Sequence, residues 1–196
     1  MDISKFTEKS KEAINVASNI ATQNNNAEIT EYHLLLSLIS SNDGLVTLLL
    51  KKMDVNINYL RESCQSEIDN LSKIAGAVSL RISDNVEKIL NTAEKQAKSM
   101  KDEFISVEHI MIGMIDESCS EFKQILKIYG ITKTKFLSVL KDVRGNTNIK
   151  TDTPEETYDV LSKFGCDLTE FARQNKLDPV IRTRWWDKKC YKNFDT

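Results

Sequence analysis

Apolar residues in this chain recur at helical spacing from one end to the other. Ala13, Ala17, Ile20 and Ala21 form an i, i+4, i+7 stripe that predicts a helix with a narrow, small-residue face. The polar run Gln23-Asn24-Asn25-Asn26 ends it. A second helix is predicted over Ile29-Thr30-Glu31-Tyr32-His33-Leu34-Leu35-Leu36-Ser37-Leu38-Ile39. Here Thr30 stands at the N-cap, where a hydroxyl can accept from amides that the first turn leaves unpaired. After an Asn42-Asp43-Gly44 turn, Leu45, Leu48, Leu49 and Met53 mark a third helix, and Ile57, Leu60, Cys64 and Ile68 a fourth.

The pattern then restarts. Ile105-Ser106-Val107-Glu108-His109-Ile110-Met111-Ile112-Gly113-Met114-Ile115 repeats the second helix, cap included, and 76 positions separate His33 from His109. At that offset Ala17 matches Ala93, Ala21 matches Ala97, Leu49 and Leu50 match Ile125 and Leu126, Val55 matches Ile131, and Leu60 matches Phe136. An ungapped register over about sixty residues predicts two copies of one supersecondary unit. Two copies are few for an open solenoid, so a closed pseudo-twofold pair is expected. The fold class expected is therefore all-α: two four-helix repeats, at about residues 5–72 and 81–143, in a domain ending near residue 145. Arg144-Gly145-Asn146-Thr147-Asn148 reads as the domain boundary, and Ala75-Gly76-Ala77 as the link between repeats. Beyond it, Thr153 and Pro154 start one more amphipathic helix carrying Tyr158, Leu161, Phe164 and Leu168.

Composition changes this picture little. A hydrophobic fraction of 40%, a charged fraction of 29% and a net charge of −2 describe an ordinary globular chain and give no electrostatic footprint for nucleic acid or an anionic membrane. The apolar runs are too short and interrupted for a membrane span, and the N-terminus has no secretory signal pattern. Cys64, Cys119, Cys166 and Cys190 are scattered without a CxxC, which fits free thiols in a reducing cytoplasm.

Candidate chemistry is sparse. The two histidines sit three residues after the two caps, which favours structural capping over catalysis. Neither has a cysteine or histidine at ligand spacing, so no metal site is expected. The P-loop pattern and a Walker B strand do not occur, so this chain is not expected to hydrolyse ATP. No nucleophile–histidine pair suggests itself. Asp102 and Glu108, flanking the second cap, read most simply as a loop residue and a first-turn carboxylate complementing the helix dipole.

Family resemblance enters at Lys163-Phe164-Gly165-Cys166-Asp167-Leu168-Thr169-Glu170-Phe171-Ala172 and Lys176-Leu177-Asp178-Pro179-Val180-Ile181. That stretch resembles the passage from the N-terminal domain to the first ATPase module in ClpB-type AAA+ disaggregases. The duplicated unit, with Lys5-Phe6-Thr7-Glu8-Lys9-Ser10 before it, resembles the Clp N domain, so the resemblance covers residues 1–181. It implies recognition of unfolded or aggregated polypeptide by a domain that feeds an ATPase ring. ATP and magnesium would belong to the full-length relative, so no cofactor is expected in this chain. It also implies that Thr7, Asp102 and Glu108 match polar residues lining the substrate-contacting face. ClpC and ClpA share these features in looser form, which keeps open an adaptor-docking module of a protease unfoldase. A non-functional truncated remnant is the other alternative. Without ATPase modules a monomer is expected.

After Ile181 the resemblance stops: residues 182–196 hold both tryptophans and lose the helical pattern. Read one base later, the codons for that tail allow G-R-D-G-G-I-K-N-A-I-K-I-L-I, close to the family's G-R-D-x-E-I-x-x-x-I-x-I-L. The tail is therefore expected to be out-of-frame translation and is set aside from fold reasoning.

Overall fold

The first helix of each repeat begins where a hydroxyl side chain accepts from the free amides of its first turn, at equivalent places in the two repeats. In a computed structural model, which describes residues 3–74, 80–144, 149 and 151–154, helix α1 (Glu8–Gln23) is capped by Thr7, whose Oγ1 accepts from the Ser10 N–H at 3.3 Å. Helix α5 (Asp84–Ser99) is capped by Ser83, whose Oγ accepts from the Val86 N–H at 3.3 Å. Between them run α2 (Glu31–Leu38), α3 (Leu45–Lys52) and α4 (Ile57–Asn70); after α5 come α6 (Val107–Glu117), α7 (Ser120–Ile128) and α8 (Lys133–Arg144). The bounds of α1 and α5 coincide at the offset read from the sequence. So do the left-handed turns, at Asn25 and Lys101 and again at Asp54 and Gly130. Among the described residues the chain forms the expected order of two four-helix repeats.

The small-residue stripes bring helices together. Ala17, Ala21 and Ala93 are fully buried and Ala97 nearly so, where α1 meets α2 and α5 meets α6. The centre of the domain is made by α2 and α6: Leu34, Leu35 and Ile39 on one side, Ile110, Met111, Ile112 and Met114 on the other, are at most 1% exposed. Phe122 and Phe136 close the core from the last two helices. Gly113 in α6 lies so close to α5 that a Cβ there would stand 2.5 Å from the Ile89 carbonyl oxygen.

An all-helical expectation leaves out one feature. Strands β1 (Glu28–Ile29) and β2 (Arg81–Ile82) pair in parallel, Ile29 opposite Ile82. Reciprocally, Phe6 forms a parallel bridge with Ile105, the Thr7 N–H donating to the Ile105 carbonyl at 3.0 Å. The lead-in to each repeat's first helix is thus held by the other repeat, the exchange that a twofold pair requires. No helix among the described residues is long and apolar enough to cross a membrane. The stretch 75–79, the helix expected after Thr153 and the tail 182–196 lie outside the described residues, with Cys166 and Cys190; Cys64 and Cys119 are free thiols.

Candidate functional site

The two caps share one geometry. The Thr30 N–H donates to His33 Nδ1 at 3.1 Å, and the Ser106 N–H donates to His109 Nδ1 at 3.1 Å. Each imidazole accepts at Nδ1, so the proton sits on Nε2. His33 Nε2 reaches Asn26 Oδ1 at 3.2 Å, and His109 Nε2 stands 3.1 Å from Asp102 Oδ2. Both rings are fully buried. These histidines tie a helix start to the preceding turn, which is the structural role expected of them.

Burial lowers the His33 pKa to about 4. Between that value and the ordinary 6.5, the unfolded chain takes up a proton that the folded one refuses. Stability therefore falls as pH drops through this window, by about 2 kcal/mol at pH 5. Urea midpoints at pH 7 and pH 5 should show that loss in the native chain and a smaller one in His33→Gln. An equal loss in both would place the effect elsewhere.

Among the differences between the repeats, three lie around these matching caps and bring in charge. Asn26, Tyr32 and Ile68 in the first are replaced, at the same offset, by Asp102, Glu108 and Arg144. All six are packed inside: Ile68 and Glu108 are fully buried, the other neutral pair and Asp102 no more than 8% exposed, and the Arg144 side chain 8% exposed. Arg144 donates from Nη2 to Asp102 Oδ1, which also accepts from the Ile149 N–H at 2.7 Å. Burial alone would push the Asp102 carboxyl up; His109, Arg144 and the Ile149 N–H outweigh it and hold the group below the usual carboxylate range. Glu108 is different. Among the described residues Arg144 Nη1 stands 3.9 Å from its Oε1, and neither of its oxygens meets a hydrogen-bond donor there. A buried carboxylate in that condition is costly and calls for a donor.

Arg144, read from sequence as the start of a boundary whose residues 145–148 lie outside the described residues, closes α8 and is the cation of this cluster. Its partner Asp102 is no solvated loop residue, and Glu108 is no solvated first-turn charge. The signal that could have identified Arg144 was present in the repeat register: an arginine standing where the first copy has a core isoleucine.

Thr7, Asp102 and Glu108 are brought into one neighbourhood, but beneath the surface rather than on an open face. Thr7 is fully buried as the α1 cap and is joined to the second repeat through Ile105. What covers them is the chain after α8. The Glu103 N–H donates to the Ile149 carbonyl at 2.9 Å, and the Glu8 N–H donates to the Asp152 carbonyl at 2.9 Å. Ile149 is 1% exposed. Beside this covering segment a shallow groove is lined by Glu8, Lys11, Glu12, Asn15, Val16 and Thr153. Among the described residues no three Asp, Glu, His or Cys side chains are grouped to hold a metal. The cluster offers acceptors and one cation, which suits binding donors and backbone rather than bond cleavage.

A family model for the Clp repeat (R) N-terminal domain matches residues 5–129. The chain is 40% identical over 185 residues to the chaperone protein ClpB of Clostridium tetani (strain Massachusetts / E88), a match covering 92% of this chain and 21% of that protein. It thus spans about a fifth of the length of the curated relatives it matches. Among solved structures it is similar to the Hsp104 N-terminal domain from Candida albicans, with a TM-score of 0.69, 19% identity, and coverage of 77% of this chain and 99% of that one. It is also similar to the ClpV N-domain in its complex with a VipB peptide, with a TM-score of 0.59, 19% identity, and coverage of 71% and 89%.

Proposed function

The chain belongs to the Clp repeat N-terminal domain family, and on that premise we propose that it recognises unfolded or aggregated polypeptide for a ClpB-like cytoplasmic chaperone. The observation that carries this reading is the broken repeat symmetry. The two copies share the histidine caps, the left-handed turns and much of the core, yet exchange Asn26, Tyr32 and Ile68 for the charged Asp102, Glu108 and Arg144. Stability does not ask for that change, because buried ion clusters commonly give no net gain over apolar residues of similar volume. A buried carboxylate that meets no donor among the described residues, beside backbone that already pairs with another segment, is suited to a peptide site. Main-chain bonds hold any sequence, and the carboxylate favours cationic side chains. That a ClpV N-domain of the same fold was solved with a peptide supports the reading.

Reduced, carbamidomethylated lysozyme, an unfolded basic chain, provides the test by fluorescence anisotropy. Glu108→Gln should weaken its binding by about tenfold, the loss of one charge-assisted contact, while the melting temperature stays level or rises. Binding equal to that of the native chain would remove Glu108 from the site. A preference for the native, disulfide-bonded form of the same lysozyme over its unfolded form would favour docking of folded adaptors instead.

A further inference from the structure

We infer that the end of the domain where α3 turns into α4 and α7 into α8 is a second docking face, for a segment of a partner protein that carries apolar side chains among carboxylates. It goes beyond the function proposed above and uses none of the residues assigned to it.

The two turns are equivalent in the repeats and make equivalent contacts across them. Lys135, in the first turn of α8, donates to the carbonyl of Met53, which ends α3. Tyr129, which ends α7, donates from its hydroxyl to the carbonyl of Tyr59, in the first turn of α4, at 3.0 Å, and lies 2.6 Å from Ser63 Oγ. Beneath these contacts the repeats agree, with Val55 and Ile131 buried in matching places.

On the surface above them the repeats part company. One half carries Lys52 and Lys135; at the same offset the other half carries Ile128 and Tyr59. Ile128 is 78% exposed and Tyr59 61%, and among the described residues Ile82 is the one other large apolar side chain so placed. Scattered single apolar residues are normal on a surface. Two on adjoining helix ends, standing where the sister half has lysines, mark an interaction face.

Charge identifies the occupant. Residues 51–63 and 127–135 hold six lysines and arginines against two acids, Asp54 and Glu62, in a chain of net charge −2. Arg61 is engaged with the Ile39 and Ser40 carbonyls, Lys51 with the Asn42 carbonyl and Lys133 with Asp116. Lys52 and Lys127 are exposed and form no ion pair among the described residues. By themselves such lysines are the usual complement of helix C-termini. Around Ile128 and Tyr59 they form a cationic rim to an apolar contact, which selects carboxylates beside apolar side chains. A second copy of the chain fits poorly, because a twofold pairing through this end would set two positive surfaces together. The Glu108 site asks for the opposite charge, so the two faces sort partners by sign.

Fluorescence anisotropy of the full chain with a labelled peptide, Glu-Leu-Glu-Asp-Phe-Leu-Glu-Leu, tests this. Replacing every acid of the peptide by glutamine should weaken binding about tenfold, and so should Lys52→Glu/Lys127→Glu in the protein. Tyr59→Lys/Ile128→Lys, which installs the residues of the sister half, should weaken it about tenfold as well. The urea midpoint of that variant should match the native one, and its affinity for unfolded lysozyme should be unchanged. No binding of the acidic peptide to the native chain, or equal binding by the native chain and either variant, would overturn the docking face and leave the Glu108 site standing. Equal binding of the glutamine peptide would overturn the charge selection that defines the occupant. Loss of lysozyme affinity in Tyr59→Lys/Ile128→Lys would overturn it by making this end part of the client site. A native dimer in sedimentation that this variant abolishes would overturn it by giving the face to a second copy.

Discussion

Arg144→Ala is expected to destabilise the domain by about 3–5 kcal/mol, the usual consequence of removing one partner from a buried ion cluster. Arg144 donates to Asp102 and lies 3.9 Å from Glu108, and its removal leaves two carboxylates in the interior with no cation from α8. The size of the effect comes from the charges left behind more than from the bonds lost. Replacing all three charges by the residues of the first repeat, as Asp102→Asn, Glu108→Tyr and Arg144→Ile, should therefore cost far less than the single change. In the first repeat those residues sit buried in the equivalent places and His33 keeps its contact with Asn26. Urea unfolding of the single and triple variants decides this, and a triple variant as unstable as Arg144→Ala would refute the charge argument. Acidity gives a second check. Asp102 is held below its ordinary pKa, so it stabilises the fold above about pH 4, and that contribution is lost as pH falls through the folded value. The gap between the native chain and Arg144→Ala should narrow in acid accordingly.

Gly113→Ala, the addition of a single methyl group, is expected to cost about 3 kcal/mol, the upper part of the range for overpacking. The new Cβ would stand 2.5 Å from the Ile89 carbonyl oxygen and 3.4 Å from the Ala93 nitrogen, both main-chain atoms that no rotamer can move. Helices α5 and α6 would have to part along their contact. Alanine's better helix propensity offsets about 1 kcal/mol and does not reverse the sign. The first repeat carries Ser37 at this position, buried at 5% with its Oγ donating to the Leu34 carbonyl at 2.7 Å. That difference locates the constraint in the α5–α6 crossing rather than in the fold as such. Thermal unfolding of Gly113→Ala beside Ser37→Ala measures it. If the two changes cost the same, close approach at Gly113 is not the cause.

The helices were legible because their apolar residues keep helical spacing and the register repeats without a gap. Capping by Thr30 and Ser106 was legible for the same reason: a hydroxyl with a histidine three residues later leaves little else for either to do. Exposure was not legible. Glu108 in a first helical turn reads as a surface charge, since nothing local tells that α6 runs through the centre of the domain. The role of Arg144 was hidden because Gly145 and Asn146 after it signal a turn, and local composition says nothing of its partner 42 positions back in sequence at Asp102. The two-residue strands escaped because so short a pairing leaves no periodicity; it is visible only once the exchange between Phe6–Ile105 and Ile29–Ile82 is drawn.

That exchange makes the domain a ring in all but covalent connection. Each repeat hands its opening residues to the other; one handover is spanned by continuous chain, while the second is held by hydrogen bonds alone, between Lys5, Thr7 and Ile105 and between Glu8 and Asp152. A duplication that closes on itself must leave one seam, the place where the two chain directions meet without a bond. Here the seam falls beside Asp102 and Glu108, so the join made without continuous chain is also the one next to the charges.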